Sequence, residues 1–122
     1  MSVQNKRLGD RGEDLAARFL RGNGYRILAR NYRCPCGEID LIARDGEIIV
    51  FVEIKGRSTR RFGSPLEAIT PVKRRRLAVT AHHYLTACSL GSARTRFDVV
   101  GIRWMPGGSG ECTLIRDAFR LE

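Results

Sequence analysis

At 122 residues the chain is long enough for one domain that buries about two-thirds of its unfolded surface, and too short for a second. Lys and Arg number 22 against 13 Asp and Glu, giving a net charge of +9 carried mostly by arginine, a balance that attracts polyanions and suits nucleic acid. The opening MSVQNKRLG lacks the apolar run of a signal peptide and no stretch is long enough to cross a bilayer, so a cytoplasmic location is expected.

The first predicted element is a helix over residues 6–23 whose apolar face is Leu15, Ala16, Phe19 and Leu20, with Gly24 ending it. Glu13 lies near the edge of that face. It can reach over a sheet toward the rest of the fold, or simply favour the positive N-terminal end of its own helix. A strand follows at 25–33. The Cys34-Pro35-Cys36 spacing is tighter than the two- to four-residue gap of a zinc knuckle, so a loop thiol pair is the plainer reading. With Cys88 and Cys112 there are four cysteines, too few and too uneven for a disulfide framework.

Residues 37–58, GEIDLIARDGEIIVFVEIKGRS, are the most informative stretch. Asp45 and Gly46 suggest the centre of a type I′ turn, which would make the segment a tight hairpin with Asp40 opposite Phe51. Side chains alternate along a strand, so Asp40, Phe51, Glu53 and Lys55 are expected on one face and Leu41, Val50, Val52 and Ile54 on the other. In that register Asp40 and Glu53 lie on a diagonal of about 7–8 Å, a gap two carboxylates can close around a hard cation. The plainer alternative is an ion pair between Glu53 and Lys55 at a solvated strand end. Against it, Ile42, Ile49 and Phe51 share the charged face, and burying charges among them is costly unless they are used or paired. Two carboxylates and an ammonium at this spacing have the layout of a metal-dependent phosphodiester-cutting site.

Arg57, Arg60 and Arg61 follow directly, where phosphates could be held. Thr70 and Pro71 then read as the N-cap and first position of a second helix. Its apolar stripe is Leu77, Ala81, Tyr84, Leu85 and Cys88, and it opens on Lys73, Arg74, Arg75 and Arg76. Three successive arginines cannot all face one way. Lys73, Arg74 and Arg75 are the candidates for a nucleic-acid track. Strands at 96–104 and 112–119, separated by an MPGGSG loop, complete the chain. Asp98, among Phe97, Val99 and Val100, is read as an edge or supporting acid outside the site. The order helix, three strands, helix, two strands implies an α/β fold with a mixed central sheet flanked by helices.

GDRGEDLAARFL, GYRILARN, GEIDLIA, VFVEIKGRS, SPLEAIT and RFDVVGI, in that order, resemble the YraN-like family of small bacterial proteins. That family is a branch of the PD-(D/E)XK nuclease superfamily and is similar to archaeal Holliday-junction resolvases. The resemblance covers residues 6–104 and implies a restriction-endonuclease-like fold. It makes Asp40 the motif aspartate, Glu53 the second metal ligand, Lys55 the motif lysine, and Glu13 the further acid that resolvase-like members carry on the first helix. Ile39 stands where the superfamily's name has proline. The implied metal is Mg²⁺ or Mn²⁺, held by Asp40, Glu53, Glu13 and the Ile54 carbonyl. The implied activity is hydrolysis of DNA, branched or single-stranded, by a homodimer. The alternative from another class is a non-catalytic nucleic-acid-binding module of repair or recombination.

Overall fold

The computed structural model describes residues 3–58 and 69–120, with the side chains of 3–9 and 57–58 left undescribed. The chain runs α1 (Val3–Gly22), β1 (Arg26–Cys34), β2 (Gly37–Asp45), β3 (Ile48–Ser58), α2 (Pro71–Ala87), β4 (Arg94–Trp104) and β5 (Gly110–Ile115). The strands form one mixed sheet in the order β1-β2-β3-β4-β5, antiparallel except for the parallel pair β3–β4 bridged by the α2 crossover. No described helix is long and apolar enough to cross a membrane.

Among the described residues, each face of the sheet carries one helix and one core. Ala16, Ala17 and Leu20 of α1 pack on Leu41, Ala43, Val50, Val52 and Val100. Leu77, Ala81 and Tyr84 of α2 pack on Ile42, Ile49, Phe51 and Val99 across the other face. Glu53 and Lys55, alternating with Val52 and Ile54, fall on the α2 side, the partition that the apolar pattern implies. The α2 stripe stops earlier than expected. The helix ends at Ala87, and Cys88 is its exposed C-cap, donating its N–H to the Tyr84 carbonyl at 3.0 Å.

The end of α1 shows why a glycine stands there. Tyr25 N–H reaches the Leu20 carbonyl at 3.0 Å and Gly24 N–H the Arg21 carbonyl at 3.1 Å, the paired bonds of a Schellman motif. That closure needs the left-handed backbone of Gly24 (φ 88°), and it folds Tyr25 back onto the same core as Leu20.

The β2–β3 hairpin differs from the expected register. Asp45 pairs with Ile48 and Leu41 with Val52, so Gly46 and Glu47 are the two turn residues. Gly46 has φ 62° while Glu47 has no positive φ, which fits a type II′ turn with glycine first instead of a type I′ turn on Asp45-Gly46. Asp45 stays in the strand because its carboxylate is engaged elsewhere: Arg96 donates to it at 2.9 Å. The slip is two residues, an even number, so the side chains of the paired residues 41–45 and 48–52 keep their faces.

The last expected strand is also shorter. β5 stops at Ile115, and the chain then turns through Asp117 (φ 52°), whose N–H donates to Asp98 at 2.9 Å. Asp98 is 1 % exposed and accepts from Tyr25 (2.7 Å) and Arg96 (2.9 Å). Far from being an edge residue, it ties the α1 exit, β4 and the final turn into one buried polar knot. The Asp98 carboxylate raises the Arg96 pKa, with Asp45 adding to the effect.

Candidate functional site

The regular alternation of β1 and β2 breaks at a register shift between Ile27 and Ala29 and again further along, and the candidate site is built at the second break. Ile39 and Ile42 lie in the same α2-side core although three residues apart, as do Ala29 and Tyr32 on the neighbouring strand. Arg30 pairs with Leu41 and Tyr32 with Ile39, so Asn31 and Asp40 are the residues opposed at the break. Asn31 takes a left-handed backbone (φ 52°), a conformation asparagine tolerates better than most residues.

The β2–β3 pairing ends at Leu41 and Val52, so Asp40 and Glu53 are the next residues on their strands, near enough for the Glu53 charge to act on Asp40. The Asp40 carboxylate accepts the Ile54 backbone N–H at 2.8 Å, replacing a carbonyl where the strands part. In a strand, a residue's N–H and C=O leave on the same edge, so the Ile54 carbonyl is turned toward this same opening.

Glu53 sits deep, its side chain 7 % exposed, and is approached by two ammonium groups. Lys73 from the first turn of α2 lies 3.0 Å from Glu53 Oε2, and Lys55 lies 3.9 Å from the same atom. Burial and then the charge of Glu53 push the Asp40 pKa up to about 7, against the Ile54 N–H and Lys73, which hold it down. Burial and the neighbouring Lys73 lower the Lys55 pKa. Burial also works against charge on Lys73, but its bonds to Lys55 and Glu53 and the field of Asp40 outweigh that and raise it. Of the two amines, Lys55 is thus the one more ready to give up its proton.

α2 is seated over this end of β2 by a close contact. A Cβ on Gly37 would stand 3.0 Å from Thr80 Oγ1, whose residue is fully buried on the helix. Between the two elements runs a groove of about 480 Å³ lined by Gly37, Glu38, Thr70, Lys73 and Arg76 among others. Lys73 and Arg76, three apart on the helix, share this groove. Arg74 does not line it: its Nε donates to the Ile69 carbonyl at 3.2 Å and its guanidinium lies over the Phe119 ring. Arg75 is exposed. Sequence reasoning placed Lys73, Arg74 and Arg75 in one track and omitted Arg76, whereas helical spacing alone pairs Lys73 with Arg76.

Glu13 is not brought to the carboxylate pair. It accepts from Arg30 Nε (2.8 Å) and Asn31 Nδ2 (2.9 Å), and among the described residues no three His, Cys, Asp or Glu side chains gather as a cation cage. Its link to the site runs through Asn31, which it holds at the strand position opposite Asp40. The side chain of Arg57 and all of Arg60 and Arg61 lie outside the described residues; the Arg57 backbone pairs with Arg103.

The donor set suits a small hard cation. Two carboxylates and a backbone carbonyl offer oxygen alone, which favours Mg²⁺ or Mn²⁺ over zinc, and Mg²⁺ characteristically keeps several waters beside one or two carboxylates. The neighbouring anion also gives a reason for a cation to enter, since the Glu53 charge adds to burial in raising the Asp40 pKa.

Residues 12–102 match the family model described as "Uncharacterised protein family UPF0102". The chain is 50% identical over 115 residues to a UPF0102 protein of Symbiobacterium thermophilum, covering 94% of this chain and 98% of the relative. It is 48% identical over 119 residues to one of Syntrophus aciditrophicus, covering 98% and 93%. It is 41% identical over 122 residues to one of Clostridium perfringens, covering 99% and 100%. A match that spans Glu13, the β2–β3 hairpin and α2, with relatives aligned over nearly their full length, places the chain in family UPF0102.

Proposed function

We propose that this protein is a metal-dependent endonuclease that hydrolyses phosphodiester bonds of DNA, with a restriction-endonuclease-like fold of the PD-(D/E)XK superfamily. The observation that carries the reading is the proximity of Asp40 and Glu53 where β2 and β3 part, with Lys55 beside them. A stability role for this group is a poor account of it. Buried carboxylates near each other cost free energy, and an apolar pair would serve a core better.

Asp40, Glu53 and the Ile54 carbonyl would hold Mg²⁺ or Mn²⁺. Bound there, the ion supplies a Lewis acid for the phosphoryl oxygens and makes a coordinated water more acidic. Lys55, with its lowered pKa, orients the attacking water and can take up its proton. When charged, the same amine offsets negative charge growing on the phosphoryl group. Lys73 and Arg76 hold the phosphates that enter the groove between Gly37 and α2, and Arg57, Arg60 and Arg61, next after the Glu53–Lys55 segment in the sequence, are further candidates to bind phosphate. Glu13 fixes Asn31 and Arg30, and so steadies the kink that aims Asp40. Branched or single-stranded DNA is the substrate class, and a homodimer supplies the two active sites that junction cutting needs.

The test is incubation of the protein with end-labelled single-stranded, duplex and four-way-junction DNA in Mg²⁺ or Mn²⁺, beside a folded Lys55→Ala variant. Metal-dependent cuts that vanish in the variant support the reading. Binding of DNA by both proteins with no cut by either would leave a non-catalytic nucleic-acid-binding module in its place.

A further inference from the structure

Three cations at two carboxylates are too many, and the geometry decides which one must leave. Lys55 and Lys73 both approach Glu53 Oε2, at 3.9 and 3.0 Å, while Asp40 stands near. With both carboxylates ionised and both amines charged the group is balanced, and a divalent ion added to it would leave an excess of two that withdrawal of an ammonium relieves. Lys55 extends from the same strand as Glu53, two residues on, and its side chain is 21% exposed. Lys73 reaches in from another element, is 38% exposed and lines the open groove with Arg76. Only Lys73 has somewhere to go.

We propose that Lys73 is a displaceable cation: it closes the ion pair with Glu53 when no metal is bound, and metal entry turns it out into the groove, where it meets a substrate phosphate. This rests on the endonuclease reading and adds a coupling to it. The metal and the phosphate clamp become linked, because the residue that the ion expels is the residue the phosphate needs. Lys73 therefore acts as a positioning residue that weakens metal binding in the free protein and strengthens substrate binding in the metal-loaded one.

The coupling is read without activity by calorimetric titration of the whole protein with MnCl₂ in the absence of nucleic acid, for the parent, Asp40→Asn, Lys73→Met and Arg75→Ala. Methionine keeps most of the length of the side chain and removes its charge; Lys73→Gln is the second variant should the methionine form fold poorly. Lys73→Met is expected to bind Mn²⁺ at least about ten-fold more tightly than the parent, with Arg75→Ala within about two-fold and Asp40→Asn showing no binding at this site. Binding by Lys73→Met where the parent shows none supports the proposal equally. Asp40-dependent binding that is unchanged or weaker in folded Lys73 variants overturns it while leaving the metal site standing. No Asp40-dependent binding in either parent or Lys73 variants removes the metal site and the proposal together. Amine labelling with acetic anhydride, followed by mass spectrometry, gives an independent readout: Mn²⁺ should speed modification of Lys73 several-fold, and unchanged or slower labelling would contradict its release.

Discussion

The Asp40 carboxylate takes the backbone N–H of Ile54 at 2.8 Å, standing in for a strand carbonyl at the point where β2 and β3 separate. One oxygen of the side chain thus completes the sheet while the group as a whole lies near Glu53. A structural bond and an unfavourable charge sit on the same residue, which makes Asp40 a sensitive probe of the site.

In metal-free solution, Asp40→Asn should stabilise the protein at pH 8. Asparagine retains an acceptor for Ile54 and removes the charge that burial and Glu53 oppose. The folded pKa, about 7, is raised above the ordinary aspartate value of 3.8, so the wild-type residue favours folding at low pH and loses that advantage as pH rises from about 4 through 7. The gap between variant and parent, on the order of 1–2 kcal/mol at pH 8, should narrow steadily toward pH 4 in thermal melts with EDTA. Adding Mn²⁺ should reverse the order at pH 8 by stabilising the parent alone.

Much of this site is legible in the sequence because the pattern survives local error. The Asp45-Gly46 dipeptide suggests the wrong turn, yet an even slip leaves Glu53 and Lys55 on the face that alternation assigns them, with Asp40 near Glu53. What displaced the turn was Arg96, a side chain 51 residues away that holds Asp45 in its strand, and no local rule contains that bond. The kink at Asn31 and Asp40 is likewise invisible to a period-two pattern, since it depends on Glu13 reaching across from α1. The role of Lys73 could not be read either. Its spacing pairs it with Arg76, but its bond to Glu53 depends on how closely α2 approaches β2.

That approach depends on Gly37, and Gly37→Ala should show it. The backbone there has φ 151°, and an added Cβ would press on Thr80 Oγ1 at 3.0 Å. A cost of about 1–3 kcal/mol is expected in urea unfolding, from strain and overpacking together. Because the helix that yields carries Lys73 and Arg76, DNA affinity should fall as well.

The basic run of α2 should divide by function when each arginine is removed. Arg76→Ala should weaken DNA binding about five-fold, reduce its salt dependence and leave stability within about 0.5 kcal/mol. Arg74→Ala should do the reverse, costing about 1 kcal/mol of stability through the lost Ile69 carbonyl bond and the contact with Phe119, with little change in DNA affinity. Fluorescence anisotropy over a salt series, with parallel denaturant curves, separates the two.

Asp98 should prove structural. Asp98→Ala leaves Arg96, whose side chain is 15% exposed, without one of its two carboxylate partners and strips acceptors from Tyr25 and from the Asp117 N–H. Removing one partner of a buried pair typically costs about 3–5 kcal/mol, so the variant should unfold at markedly lower urea. Metal affinity of whatever fraction remains folded should match the parent, because the knot contributes no residue to the Asp40–Glu53 group.

The most direct test of the proposed metal site is anomalous diffraction from a crystal of the protein soaked in Mn²⁺. An anomalous peak bridging Asp40, Glu53 and the Ile54 carbonyl, with the Lys73 ammonium drawn off Glu53, is the expected result. A fully occupied lattice in Mn²⁺ with no peak between those oxygens, and Lys73 still bound to Glu53, would contradict the account.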